Sequence, residues 1–484
     1  PERYTAGVYG PPPDPRQLTF VAESADHLIC LGIGALLGLA AWRTRRFELK
    51  GLLALVAVVV VFTTPWLPNL DTAWFGDFPT IDKEGSLLFY EQGVHRWLYT
   101  DPLGAPQDAA VRLIGVHAGH LWLTALLDGL GLSAMGAFNA QWLLQVGLGW
   151  AAAWWLVVEV VDPEGSDRRA GGLAAWVPWA VAFPFGMGLH MFRDLNWTTV
   201  EKGGVFWLAL FGVALVRAVR RGGGWCAGPA AVYLLMALYN LYFAMVAAMV
   251  GVLGAVVWTV GGAFRRDWRT GASRWWTACL GCVAVGLPIA GAQLAIQAGG
   301  PALASPERFL WERAGLDGFS LVPFRWNRLE VWRACNPLVV ALAAVGSWRW
   351  RRDPRLWAVL AACGGLFAIS VGPVLVPGDT PDAPRLANPL YLAVHAVVPG
   401  FWRMAKPEVF FEAVWLAMMV GAGAALRGLA RDRRAIGLII GILMLWWPMV
   451  RLHPAYPGLS APQDSALDPR WQQRVFEAPT TPRR

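Results

Sequence analysis

Charge is what this sequence is short of. Charged residues make up 15% of its 484 positions and hydrophobic ones 56%, whereas a soluble domain typically carries about 25% charged residues. No long charged stretch supplies a soluble surface, so the length resolves into one polytopic membrane domain rather than two or three soluble ones. Other absences narrow the function. There is no glycine-rich Walker or Rossmann fingerprint and no Ser-His-Asp order that stands out. The apolar segments are nearly uncharged in their middles, with Glu159 near a segment end and Asp128 near a loop. A transporter would hold ionisable groups at that depth, so transport is disfavoured. Cysteine is scarce, six in all, and Cys279 and Cys282 form a CxxC within WWTACLGCVAVGLP with no second pair or nearby histidine. That context reads as packed membrane cysteine rather than zinc or redox chemistry.

What charge there is falls in short arginine-rich connectors. The clusters are Arg43, Arg45, Arg46 and Lys50; Arg168 and Arg169; Arg217, Arg220 and Arg221. Further along come Arg265, Arg266, Arg269 and Arg274; Arg349, Arg351, Arg352 and Arg355; and Arg427, Arg431, Arg433 and Arg434. The net charge of +8 therefore belongs to loops, and no interleaved basic-aromatic pattern points to nucleic acid.

Short loops rich in Lys and Arg stay in the cytoplasm, which yields an all-α polytopic fold of roughly twelve transmembrane helices with both termini outside. Residues 27–42 enter and 51–67 return. Segments 134–161, 171–188 and 204–219 follow. The apolar stretch 225–260 is too long for one span and is split near Tyr239–Tyr242. Residues 275–297, 337–348, 356–376, 407–426 and 435–450 complete the set, so residues 27–450 form the membrane domain. Residues 69–112 and 298–336 become outer loops. Residues 113–132 mix leucines with His117, His120 and Asp128, the pattern of a helix lying on the outer face. Residues 1–26 have no basic n-region and read as an extended proline-bearing arm, and residues 451–484 as a Pro-rich outer tail. Of 29 tryptophans, many fall at segment ends and suit the headgroup belt. Trp154, Trp155, Trp275 and Trp276 are either such anchors or the lining of a groove for a lipid chain.

The first outer loop opens NLDTAWFGDFPTIDKEG. A hydrocarbon core about 30 Å thick excludes its carboxylates, so they gather at one membrane face. Acidic groups beside a lipid surface suit base-assisted or metal-assisted transfer involving a lipid-linked substrate. An ordinary wet loop has the same composition.

The order of segments resembles the GT-C superfamily, membrane glycosyltransferases that take sugars from polyprenyl-phosphate carriers, and most of all its bacterial branch. Gly76-Asp77 in WFGDFPT matches the Gly-Asp pair of that family's first loop, and VVPGFWRMAKPEVFFEAVWLAMMVGAGAAL matches a later outer motif of the type PGF..R.P.KF before an apolar helix ending in small residues. GLHMFRDLNWTT, VFWLALFGVALVRAVRR and LYNLYFAMVAAMV follow the family's order between them. Two departures stand out. The span 27–42 precedes the helix with which relatives usually begin, and Asp71, Asp77 and Asp82 stand five or six residues apart instead of forming an Asp-x-Asp.

The resemblance implies an outer-face transferase of the bacterial inner membrane. Its partners would be membrane lipids and a polyprenyl-phosphate-linked sugar, with Mg2+ or Mn2+ as the divalent ion if a metal is used. Glycosyl transfer needs a base for the acceptor hydroxyl and positive charge for the departing phosphate. Asp77 is the first choice for the base or metal-linked carboxylate, with Asp71 and Asp82 behind it. His117 and His120 in HAGH stand one helical turn apart, as metal ligands or as interfacial hydrogen-bonders. Arg403 and Lys406, beside Pro407 at an outer helix start, suit the phosphate. Arg193, Arg325, Arg328 and Arg333 are further outer candidates. The alternative is a catalytically inactive relative serving as scaffold or subunit of a membrane assembly, which the missing Asp-x-Asp permits.

The alternation of loops gives a direct test. Cysteine-accessibility labelling should place positions 77 and 266 on opposite sides of the membrane; finding both on one side would overturn this topology.

Overall fold

A computed structural model describes residues 24–44, 46–63, 67, 70, 74–75, 90, 121–170, 172–186, 200–266, 268–298, 319–320, 333–334, 336–372, 374–375, 386–398, 401, 407–455 and 459–460. Among these, the protein is built of α-helices, with three ladders of two residues per strand. Five helices are long and apolar enough to cross a membrane: Ala134–Val161, Gly203–Arg221, Leu241–Phe264, Trp268–Ala292 and Phe411–Asp432. Six shorter apolar helices accompany them. The chain is an all-α membrane protein.

The contacts divide it into two compact units. The first comprises Pro1–Gly147, Phe192–Gly203 and Ala455–Arg484. Here α1 (Ser24–Arg43) and α2 (Phe47–Phe62) pack side by side. Helix α3 (residues 121–129) is inside out compared with a surface helix of a soluble protein. Its exposed positions are apolar, Trp122 at 44% and Leu126 at 60%, while Thr124 is fully buried. An exposed apolar stripe at i, i+4 suits contact with lipid. Then comes the first half of α4 (Ala134–Val161), begun by Ser133, whose Oγ accepts from the Gly136 N–H at 2.9 Å as an N-cap does. At 28 residues α4 is about 42 Å long, more than a bilayer core needs.

The second unit comprises Leu148–Met191 and Gly204–Pro454. After the rest of α4 come the short α5 (Ser166–Ala170), α6 (Leu173–Gly186) and α7 (Phe206–Arg221). Next are α8 (Ala227–Tyr239), α9 (Leu241–Phe264) and α10 (Trp268–Ala298). α11 (Pro337–Arg349), α12 (Pro354–Ser370), α13 (Pro389–Val397), α14 (Phe411–Asp432) and α15 (Arg434–Ala455) complete it. The apolar stretch 225–260 does break, at Asn240, which leaves the helical region (φ −155°, ψ 115°) and caps α9 by accepting from the Tyr242 N–H at 2.8 Å. α11 and α14 pack closely through small residues. A Cβ on Gly346 would run into the Gly421 carbonyl, so the backbones meet where side chains are smallest.

One end of this unit is locked by arginine. The last four carbonyls of a helix have no partner within it, and α4 ends amid packed apolar helices. Arg220 of α7 donates to the Glu159 carbonyl and Arg427 of α14 to the Val161 carbonyl. Arginines also hold the acids of this end. Arg217 pairs with Glu159 at 2.9 Å, and Arg427 bonds Asp162 at 3.0 Å and Asp167 as well. Arg431 closes on Asp167, and Ser166 Oγ donates to Asp162 Oδ1 at 3.1 Å. Arg274 of α10 donates to the Val219 and Arg220 carbonyls at 2.9 and 2.8 Å, its side chain lying against Gly222. Gly222 ends α7 with φ +67°, so glycine serves both the turn and the close approach. Arg349 of α11 lies against Gly428. Five of the six basic clusters thus share one end of this unit, while Arg43–Lys50 belongs to the first unit.

Arg217, Arg220 and Arg427 are helix-joining residues, because buried Glu159, Asp162 and Asp167 require partners. The four tryptophans singled out above also have partners within the protein. Trp154 stacks on Trp179 with centroids 4.4 Å apart, and Arg217 lies 4.7 Å over the Trp155 ring. The Trp275 and Trp276 indoles donate to the Gly251 carbonyl and to Thr259 Oγ1 at 2.9 and 2.8 Å. All four join helices.

Arg427→Ala takes a charged partner from two buried carboxylates and leaves a helix-terminal carbonyl without its donor, so it should cost about 3 kcal/mol of stability, read as a lowered unfolding midpoint in detergent. Arg427→Lys should recover only part, having no fork to span Asp162 and Asp167. Burial alone would raise the Asp167 pKa, but the bonds from Arg431 and Arg427 win and hold it below its ordinary 3.8. A carboxyl depressed in the fold stabilises above its unfolded value and loses that contribution as pH falls through the folded one. The clamp should therefore hold at neutral pH and release only in strong acid.

Candidate functional site

The residues named above as site candidates fall in connectors, and most lie outside the described residues. This holds for Asp71, Asp77, Asp82, His117, His120, Arg193, Arg325, Arg328, Arg403 and Lys406. What the structure gives is how the chain is fixed on either side of them.

In the first unit the acidic loop starts over a buried polar patch. Asn139, near the start of α4, is 3% exposed and donates through Nδ2 to the Leu70 carbonyl at 2.8 Å. Leu70 immediately precedes Asp71. Two residues further along α4, fully buried Gln141 accepts at Oε1 from Thr124 Oγ1 of α3 at 2.7 Å. On the next turn of α3, Asp128 Oδ2 accepts from the phenol of Tyr90 at 2.5 Å, a charge-assisted bond from a fully buried ring within the acidic loop. Three loop or helix segments are therefore tied to one half of α4 by neutral amides, a hydroxyl and one carboxylate. Just beyond Asp71, β1 (Trp74–Phe75) pairs antiparallel with β6 (Leu459–Ser460), and Gly76-Asp77 follows β1 directly.

In the second unit the end away from the arginine lock carries the long connectors. β2 (Phe319–Ser320) pairs parallel with β3 (Arg333–Ala334), closing the stretch that contains Arg325 and Arg328. β4 (Val374–Leu375) pairs antiparallel with β5 (Leu386–Ala387), after which α13 packs on the end of α12. Asn388 makes that junction. Its Nδ2 donates to the Ala368 and Gly372 carbonyls at 2.6 and 2.8 Å, and its Oδ1 accepts from the Tyr391 N–H at 3.3 Å as the cap of α13. Tyr391 then supports Phe401 (centroids 5.3 Å apart), and Phe401 supports Phe410 at 5.7 Å; all three rings are fully buried. His395 completes the nest at 6.2 Å from Tyr391. Phe401 is the aromatic of the PGF motif, and Phe410 ends the 3-10 turn Pro407–Phe410 that leads into α14. The stretch 402–406, with Arg403 and Lys406, thus leaves from one buried ring and returns to another.

The described chain is thus fixed at Leu70 and Trp74–Phe75, next to Asp71 and Gly76-Asp77 in sequence, and at Phe401 and Phe410, on either side of residues 402–406. Among the described residues no three His, Cys, Asp or Glu side chains gather as metal ligands, and Asp128 is engaged by Tyr90.

Sequence reasoning missed α13 and the polar half of α4. The signal for the first was present: Asn388-Pro389-Leu390 repeats Asn336-Pro337-Leu338, and both start a helix with asparagine as cap and proline at the first turn. For the second, Asn139, Gln141 and Gln145 are amides in the first half of a long, mostly apolar span. The chain matches no protein-family model and no curated protein at a significant level.

Asn388→Ala removes a buried cap and two bonds to the end of α12. It should cost about 2 kcal/mol and speed hydrogen exchange across α13, read by mass spectrometry, while α4 keeps its protection.

Proposed function

We propose that the protein is a GT-C-type membrane glycosyltransferase of the bacterial inner membrane, moving a sugar from a polyprenyl phosphate to an acceptor at the outer face. Roughly twelve crossings and outside termini belong to the same proposal. The observation that carries it is the fixing of the two motif-bearing stretches: Asp71 and Gly76-Asp77 beside Asn139 and the β1–β6 ladder, and Arg403 with Lys406 between Phe401 and Phe410.

The chemistry follows from those residue types. The acceptor hydroxyl attacks the sugar's anomeric carbon as the bond from that carbon to the phosphate oxygen breaks. Asp77 takes the hydroxyl proton, with Asp71 and Asp82 shaping the acidic field around it. Arg403 and Lys406 balance the charge that grows on the leaving phosphate, the arginine fork suiting two of its oxygens. Pro407 begins the turn that leads into α14, whose first N–H groups add partial positive charge nearby. The lipid tail would lie in the bilayer, where the exposed apolar faces of the helices are at home.

Asp77→Asn keeps the side chain's size and removes its basicity. It should lower transfer from a polyprenyl-phosphate sugar by about 10²-fold or more with insertion and unfolding midpoint unchanged, and Arg403→Ala should chiefly raise the donor KM. Full activity in Asp77→Asn would remove that residue from the mechanism. A wild-type protein that transfers from no polyprenyl-phosphate sugar would favour the scaffold alternative.

A further inference from the structure

The acidic loop starts between two fixings, and one of them comes from the other end of the sequence. The Leu70 carbonyl is held by Asn139 at 2.8 Å. Four residues on, Trp74 lies opposite Ser460 and Phe75 opposite Leu459. Asp71 stands between the two fixings, and Asp77 stands two residues beyond the second. A ladder this short does not hold by itself in water, and closing a loop of nearly 400 residues carries an entropic cost that grows with its length. The pairing therefore acts together with the Asn139 bond, each limiting how far the other can open. The pairing uses main-chain groups of Trp74 and Phe75.

We propose that the segment around Leu459–Ser460 is a clasp on the start of the acidic loop, with Asn139 as its counterpart on α4, and that the two are positioning residues for the carboxylate at Asp77. The last clause rests on the transferase reading; the clasp itself does not. A displacement of about 1 Å in a catalytic group is enough to cost 10²-fold in rate, so a loop start fixed at two points has a direct bearing on turnover.

The test uses the full chain in membranes, with the six native cysteines replaced by alanine. Positions directly opposite in an antiparallel pair have Cβ atoms about 4.5–5.5 Å apart. Phe75→Cys with Leu459→Cys should therefore form a disulfide under mild oxidation, seen as a linked peptide by mass spectrometry. Trp74→Cys with Leu459→Cys, whose side chains face opposite ways, should not. Deleting residues 456–484 should make amide exchange in the peptide containing Trp74 and Phe75 about tenfold faster, and Asn139→Ala should do the same at Leu70–Asp71. Ser460→Pro, which removes one N–H from the segment, serves if the deleted chain does not fold.

Both variants should lower kcat several-fold while the donor KM holds, and Asn139→Gln should restore part of it. No cross-link and unchanged exchange would overturn the clasp. A cross-link with faster exchange but wild-type kcat would overturn the positioning role alone. An intact clasp in a wild-type chain without transfer activity would count against the transferase reading and leave the clasp standing.

Discussion

A helix that ends among packed apolar neighbours must have its last carbonyls satisfied by something other than water, and the second unit is arranged around that constraint at the end of α4. Arg220 reaches in from α7 to a carbonyl of α4 while Arg217, one turn before it, holds Glu159, and Arg427 of α14 serves both a carbonyl of α4 and the acids Asp162 and Asp167. Once these arginines are committed, the register of three helices is fixed at this end. Arg274 then secures α10 to the end of α7 by the same means. The acids Glu159, Asp162 and Asp167 are buried because the arginines are there, and the arginines stay because the acids are. Tight basic connectors follow, since each must turn within reach of this cluster.

Locking one end frees the other for long connectors. Asparagine does there what arginine does at the locked end, but for helix starts: Asn336 and Asn388 cap α11 and α13 with buried side chains. Buried neutral amides can satisfy backbone groups without bringing a charge into apolar surroundings. The aromatic nest of Tyr391, Phe401 and Phe410 adds fixed points of a different kind, large rings that cannot be displaced without opening a cavity.

Much of this was legible in the sequence, and the parts that were not have physical reasons. The bounds of α4 follow from its apolar run, and the break at Asn240 follows from a stretch too long for one crossing. Five basic clusters fall at one end as the alternation of loops requires. The partners of those arginines were hidden, because Glu159, Asp162 and Asp167 look like ordinary end-of-helix acids until α7 and α14 are folded against them. Trp154 and Trp275 looked like belt anchors or groove lining for the same reason: a tryptophan's packing partner, such as Trp179 or Gly251, lies on another helix. α13 was lost inside a polar connector, although its Asn-Pro start repeats that of α11. Of the candidate site, the motifs gave the residue types, while the bonds from Asn139, Tyr90 and Asn388 that fix the surrounding chain join residues between 16 and 69 positions apart and leave no local pattern.

The central claim is that the arginine-locked end is structural and the end with the PGF motif handles the lipid phosphate. The most direct measurement is the affinity of the purified protein for a polyprenyl phosphate, compared among wild type, Arg403→Ala and Arg266→Ala at constant ionic strength. The account expects Arg403→Ala to weaken binding by about 10-fold or more, as loss of a charge-assisted contact should, with Arg266→Ala indistinguishable from wild type. Binding lost in Arg266→Ala and kept in Arg403→Ala would contradict it, placing the phosphate at the end assigned here to structure.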